Sequence, residues 1–172
     1  MAIFYVFQGK TYEHELAGGY VWSPKLGKGG KKNKGYYTML EIKKGDFIIH
    51  QADTAIQAIS IAKTDCYDSQ QPLALKNADK DIEWDDEGYR VDVDYVKLDV
   101  PLNMRNYKEW LVEHWDENSA FKVTGIGKLQ YMCNVTNEHV LFLMGQALKH
   151  QHSTSVKEII NRVMEEVAPG SR

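Results

Sequence analysis

Residues 47–62, FIIHQADTAIQAISIA, carry the strongest structural signal in the chain. Phe47-Ile48-Ile49-His50 is a run of aromatic and β-branched types that favours extended backbone. Asp53-Thr54 reads as a turn. Ala55 to Ala62 then alternates small and apolar residues, the period of a strand that pairs back as a hairpin. Other segments group around this hairpin. IFYVFQ at 3–8 is a second aromatic and β-branched strand. Residues 11–18 form a short helical turn, and Gly18-Gly19 breaks the chain before Tyr20-Val21-Trp22. Residues 25–35, KLGKGGKKNKG, read as a flexible loop of glycine and lysine. Residues 65–88 are polar and irregular. Tyr89 to Val100 alternates again, with Val91, Val93, Tyr95 and Leu98 against Asp92 and Asp94, and Pro101 is expected to end that strand.

The C-terminal part has helical spacing. Tyr107, Trp110, Leu111 and His114 share one face of 106–114. Tyr131 to Val135 reads as a strand, and Asn137 is expected to cap a helix reaching about Lys149. Ser155 with Glu158 fits a capping box, and Val156, Ile159, Ile160, Val163 and Val167 trace one apolar stripe. The expected fold class is α+β: a curved, barrel-like, mostly antiparallel sheet with flanking helices.

At 172 residues, with 43% hydrophobic and 26% charged residues, the chain can bury a core without staples, and disordered or fibrous classes are excluded. Cys66 and Cys133 read as reduced thiols. No apolar stretch approaches the roughly 20 residues that span a bilayer, and the N-terminal apolar run is too short for a signal peptide. A cytoplasmic protein with no membrane partner is expected. The net charge of −3 hides an asymmetry. Lys25 to Lys44 holds seven lysines and one acid, Glu41, whereas Asp79, Asp81, Glu83, Asp85, Asp86, Glu87, Asp92 and Asp94 crowd the next stretch. The acidic run reads as a solvated surface. The basic one is interleaved with glycines and aromatics and can hold phosphates.

Catalytic patterns fail one after another. Gly9-Lys10-Thr11 ends like a P-loop, but Phe4 stands where the first glycine is needed. Gly30-Lys31 is followed by Lys32. Histidines 14, 50, 114, 139, 150 and 152 do not cluster at ligand spacing. Glu41-Ile42-Lys43 has the spacing of a nuclease carboxylate–lysine pair without a second acid. No G-x-S-x-G elbow occurs. The chain reads as a binding domain with no cofactor, not an enzyme.

Trp22-Ser23-Pro24 stands out. Taken alone, Trp22 reads as core more than as ligand contact. Its surroundings favour contact: lysines follow at once, and Tyr36 and Tyr37 close the loop. An aromatic face beside cations suits a flipped nucleobase and its flanking phosphates. On that reading Lys25, Lys28, Lys31, Lys32 and Lys34 contact phosphates, and Trp22→Ala weakens binding far more than stability.

GGYVWSPK at 18–25 and KKGDFIIHQADTAIQAISIAKTDCYDSQQP at 43–72, with Tyr89 to Leu98, Asn118-Ser119-Ala120-Phe121 and Leu129-Gln130-Tyr131, together resemble the EVE domain found at the front of modification-dependent HNH restriction endonucleases. EVE domains belong to the PUA superfamily, with YTH domains as relatives. The resemblance spans roughly 1–148. It implies a PUA/EVE-like pseudo-barrel over 1–150 and a C-terminal helix over 151–172 that could lead to a nuclease domain in cis. It implies a pocket for 5-methylcytosine or 5-hydroxymethylcytosine flipped from double-stranded DNA. Trp22 and Ser23 fall where such pockets have walls, with Tyr37 and the strand around His50 as further walls. The alternative is a PUA-like module that binds modified RNA.

Overall fold

The hairpin of 47–62 forms as read. In the computed structural model, which describes residues 1–78 and 86–169, β3 (Phe47–Ala52) and β4 (Ala55–Ala62) pair antiparallel with Ile49 opposite Ile59. Asp53 and Thr54 both have positive φ, 52° and 60°, the signature of a two-residue turn whose twist matches its strands. β1 (Ile3–Phe7) lies parallel to β3 and antiparallel to β7 (Met132–Asn134). β6 (Glu87–Asn103) is long enough to serve two neighbourhoods. Its first residues pair with β2 (Tyr20–Pro24) and β5 (Tyr67–Gln70), and its later ones with β4. The strand order is β2-β6-β4-β3-β1-β7, with β5 also on β6, curled into a half-barrel.

The pleat separates two cores, because alternate residues point to opposite faces. Tyr5, Phe7, Phe47, Ile49, Ile56 and Ile59 join a large cluster with α4 (Lys108–Glu113), α5 (Asn137–Leu148) and α6 (Thr154–Val167). Phe4, Val6, Ile48, Val21, Val91 and Val93 face the other way and meet Met39, Ile42 and Met132. The predicted stripe Val156, Ile159, Ile160, Val163 and Val167 is buried throughout, so α6 docks on the same core as the sheet. Among the described residues no helix is long and apolar enough to cross a membrane. Asp79, Asp81, Glu83 and Asp85 of the acidic run lie outside the described residues.

Several local expectations are corrected. Pro101 lies inside β6. The register against β4 jumps from Ala58↔Lys97 to Ile56↔Leu102, so the intervening residues leave that ladder and the missing N–H of proline costs nothing there. Gln151 stands in for a strand by accepting from the Val100 N–H and donating to its carbonyl. The stretch 65–88 contains β5 and α3 (Leu73–Ala78). Helix α5 is preceded by Thr136 as N-cap, not capped by Asn137. Helix α6 has Ser153 as its N-cap residue, so Ser155 lies inside the first turn and does not open a capping box with Glu158. This start is braced by Asp99, which accepts from the N–H groups of His152 and Ser153 and from the Ser153 hydroxyl. These donors, the Ser153 hydroxyl foremost, lower its pKa to about 2.

Candidate nucleic-acid interface

A cavity of about 470 Å³ opens beside β2, within the roughly 300–1,000 Å³ common for ligand pockets. Four segments line it: Phe7 to Thr11 without Gln8, Trp22-Ser23-Pro24, Asn33 with Tyr36, and Leu129-Gln130-Tyr131. Two of them are locked together. Asn33 caps α2 (Lys34–Thr38) by accepting from the Gly35 N–H at 2.8 Å. Gly35 in turn lies so close to the Gln130 carbonyl that any β-carbon would overlap it. The lysine-rich segment is therefore anchored at its end. Closer to its middle it closes through Gly27 N–H to the Lys31 carbonyl and Gly30 N–H to the Gly27 carbonyl.

The sequence-predicted site residues separate into groups. Ser23 lines the cavity and is buried, and its hydroxyl has no hydrogen-bond partner among the described residues. Leaving a buried hydroxyl unpaired costs about 1–3 kcal/mol, so a ligand that pairs with it gains an interaction the free protein lacks. Trp22 also borders the cavity, yet its exposure is 0%. Its indole crosses Gly88, where a β-carbon would overlap the ring, and clusters with Tyr20 and Leu75. Its ring N–H donates to the Ser69 carbonyl at 3.2 Å. Trp22 thus builds the wall without presenting a stacking face. Tyr36, half-buried on α2, offers a ring to the cavity, whereas Tyr37, about 100° further round the helix, is 39% exposed and does not line it.

His50 does not line the cavity either. It is fully buried beneath it, in a polar network whose members come from distant parts of the chain. His50 Nδ1 meets Gln8 Oε1 at 2.7 Å and Nε2 meets Ser60 Oγ at 2.6 Å. Gln8 donates its amide hydrogens to Glu15 and Tyr95, which leaves its oxygen to accept from His50. The imidazole is then neutral with the proton on Nδ1, and burial holds its pKa down at about 3. Glu15, on α1 (Tyr12–Gly18), is fully buried. It accepts from Gln8, Thr11 and the Tyr131 hydroxyl at 2.7, 2.9 and 2.6 Å. Burial raises its pKa and the hydrogen bonds lower it, leaving it at about 7. The Tyr131 hydroxyl also accepts from the Trp22 N–H at 3.0 Å. Thr11, Trp22 and Tyr131 line the cavity, so Glu15 fixes three of its walls from behind.

Lys28, Lys31, Lys32 and Lys34 are exposed on the segment beside the cavity. Lys25 differs: its ammonium pairs with Asp68 at 3.2 Å and sits 5.4 Å from the Tyr89 ring centroid. Sequence reasoning passed over Tyr36 as a pocket residue, and over Gln8, Glu15 and Tyr131. The i, i+4 spacing of Thr11 and Glu15 on a short helix was the one local signal for the network. Among the described residues no group of three or more His, Cys, Asp or Glu side chains could hold a metal ion.

No family model matches the chain, and no curated protein matches it. Solved structures do. Human THYN1, solved in complex with 5-methylcytosine-containing DNA, superposes with a TM-score of 0.55 at 10% identity, covering 89% of this chain and 100% of that one. Rpa0253 from Rhodopseudomonas palustris gives 0.53 at 14% identity, over 88% and 97%. A protein from Pseudomonas putida gives 0.53 at 15%, over 85% and 99%. The fold is PUA/EVE-like.

Proposed function

We propose that the cavity beside β2 receives a modified cytosine, 5-methylcytosine or 5-hydroxymethylcytosine, flipped out of double-stranded DNA. The observation that carries this reading is the buried Ser23 hydroxyl, which has no hydrogen-bond partner among the described residues and belongs to a residue lining the cavity. The EVE-like sequence blocks and the fold shared with THYN1 support the choice of ligand class. Tyr36 supplies the stacking ring, and Ser23 bonds the polar edge of the base or a hydroxymethyl group. Lys28, Lys31, Lys32 and Lys34 hold the flanking phosphates. Lys25, already paired with Asp68, contributes less.

The energetics favour a shared task. Extruding a base costs a few kcal/mol, and one stacked ring returns about 1–3 kcal/mol. Phosphate contacts must supply much of the remainder. A buried methyl adds only about 0.8 kcal/mol, roughly fourfold. Discrimination against plain cytosine therefore rests on fit to fixed walls, which is the work of the network around Glu15. With the resemblance to EVE segments of HNH restriction enzymes, this chain is the specificity module of a modification-dependent endonuclease, with the nuclease in cis. The test is a binding panel of duplexes carrying cytosine, 5-methylcytosine, 5-hydroxymethylcytosine or N6-methyladenine at fixed salt, with methylated single-stranded RNA as competitor. Tightest binding to a modified-cytosine duplex is expected. Preferential displacement by the RNA would assign the pocket to RNA instead.

A further inference from the structure

Leu129 stands at the mouth of the cavity with 68% of its surface exposed and belongs to none of the hydrophobic clusters. Its backbone is in the left-handed region, φ 56°, as is that of Tyr131, φ 75°. Residues with side chains rarely adopt this conformation, and where they do the surroundings must enforce it. Here they do so from both sides. After Leu129, the Tyr131 hydroxyl is tied to Glu15 and to the Trp22 N–H, and its carbonyl accepts from the Phe7 N–H at 2.9 Å. Before it, residues 120–128 form a tight hairpin closed by Lys122 N–H to the Ile126 carbonyl and Lys128 N–H to the Ala120 carbonyl. Gly125 at its tip rests against the Lys108 carbonyl of α4. Two anchored segments thus hold one exposed leucine beside the pocket entrance, between Lys128 and Gln130.

We propose that Leu129 enters the base stack of duplex DNA and fills the gap left by the flipped base. The inference rests on the flipping proposed above. A vacated step leaves two base faces unstacked, and apolar side chains are what proteins insert between base steps. Leu129 is an apolar group at the mouth through which the base would pass, and its strained, braced backbone keeps it from collapsing onto the core. It makes the site selective for duplex over single strand, because only a duplex has a gap to fill.

The experiment compares Leu129→Ala and Leu129→Phe with the unaltered chain on two probes. One is a duplex with 5-methylcytosine paired to guanine, and the other is the same methylated strand alone. Leu129→Ala is expected to weaken duplex binding by about tenfold and single-strand binding by a clearly smaller factor. Leu129→Phe, which keeps an apolar group able to stack, is expected to retain duplex binding. Equal loss on both probes would make Leu129 merely a pocket wall, and no loss on either would remove its role; both results overturn the wedge. A Phe variant as weak as the Ala variant would also overturn it. If the unaltered chain binds methylated and unmethylated duplexes alike, the flipping itself falls and the wedge with it, an outcome read directly from the unaltered protein.

Discussion

Two regions meet at β2 and handle charge in opposite ways. Beneath the cavity, Glu15 and His50 are fully buried, and their polar atoms are taken by Gln8, Thr11, Ser60 and Tyr131. Beside the cavity, Lys28, Lys31, Lys32 and Lys34 stand in solvent. A buried, satisfied network is insensitive to salt and fixes shape. Exposed lysines are screened by salt and fix nothing, but they attract a polyanion over a Debye length of about 8–10 Å. On the proposed function, the contrast teaches that selection and holding are separable: the network would shape the pocket, and the loop would supply sequence-independent affinity.

The largest break is expected at Trp22. Its indole is core, so Trp22→Ala should cost about 3–5 kcal/mol of stability, measured by chemical denaturation. The sequence-based expectation that this change spares stability is overturned by its burial against Gly88, Tyr20 and Leu75. Glu15→Ala comes next. It strands donors from Gln8, Thr11 and Tyr131, and a loss of about 3 kcal/mol is expected at one or more kcal/mol for each group left unpaired.

The milder Glu15→Gln isolates a pH dependence. The folded carboxyl titrates at about 7 instead of 4.5, so between these values the folded chain holds the extra proton. That contribution is fully present below pH 4.5 and is lost as pH rises through about 7. His50 works in the opposite sense. Its folded pKa is about 3 against 6.5, so its contribution is present above 6.5 and lost as pH falls toward 3. Denaturation of the unaltered chain and of Glu15→Gln between pH 4.5 and 8 should show the variant gaining relative stability as pH rises. A constant difference would contradict the buried-carboxyl account.

Replacing Lys28, Lys31, Lys32 and Lys34 by glutamine should leave stability within about 0.5 kcal/mol. It should reduce the salt slope of DNA binding by roughly one for each lysine that reaches a phosphate. Loss confined to modified DNA would break the division between the two regions. Ser23→Ala is expected to give the smallest change in fold: stability unchanged or raised by up to about 1 kcal/mol, since a buried unpaired hydroxyl is removed. Modified-base binding should fall by about tenfold.

What the sequence disclosed follows from range. The 47–62 hairpin was legible because alternation and a two-residue turn are local. Ser23, which lines the cavity, drew notice in the sequence because Trp22-Ser23-Pro24 adjoins the lysines. His50 was misread as a wall because nothing near it in sequence announces Gln8, forty-two residues away. Tyr36 was exchanged for Tyr37 because α2 begins inside a stretch whose glycines and lysines look structureless. Its start depends on the Asn33 cap and on the contact of Gly35 with Gln130. Pro101 sits in a strand because Gln151 replaces a strand partner there, which strand propensity does not encode.

The most direct test of the separation is a salt titration of binding to two matched duplexes, one with cytosine and one with 5-methylcytosine at the same position. Both affinities should fall steeply as salt rises, because phosphate contacts release counterions. The ratio between them should stay constant, because the pocket that sets it is uncharged toward solvent and braced from within. A ratio that collapses toward one as salt rises would show that the lysine loop, not the cavity, does the discriminating, and would contradict the account.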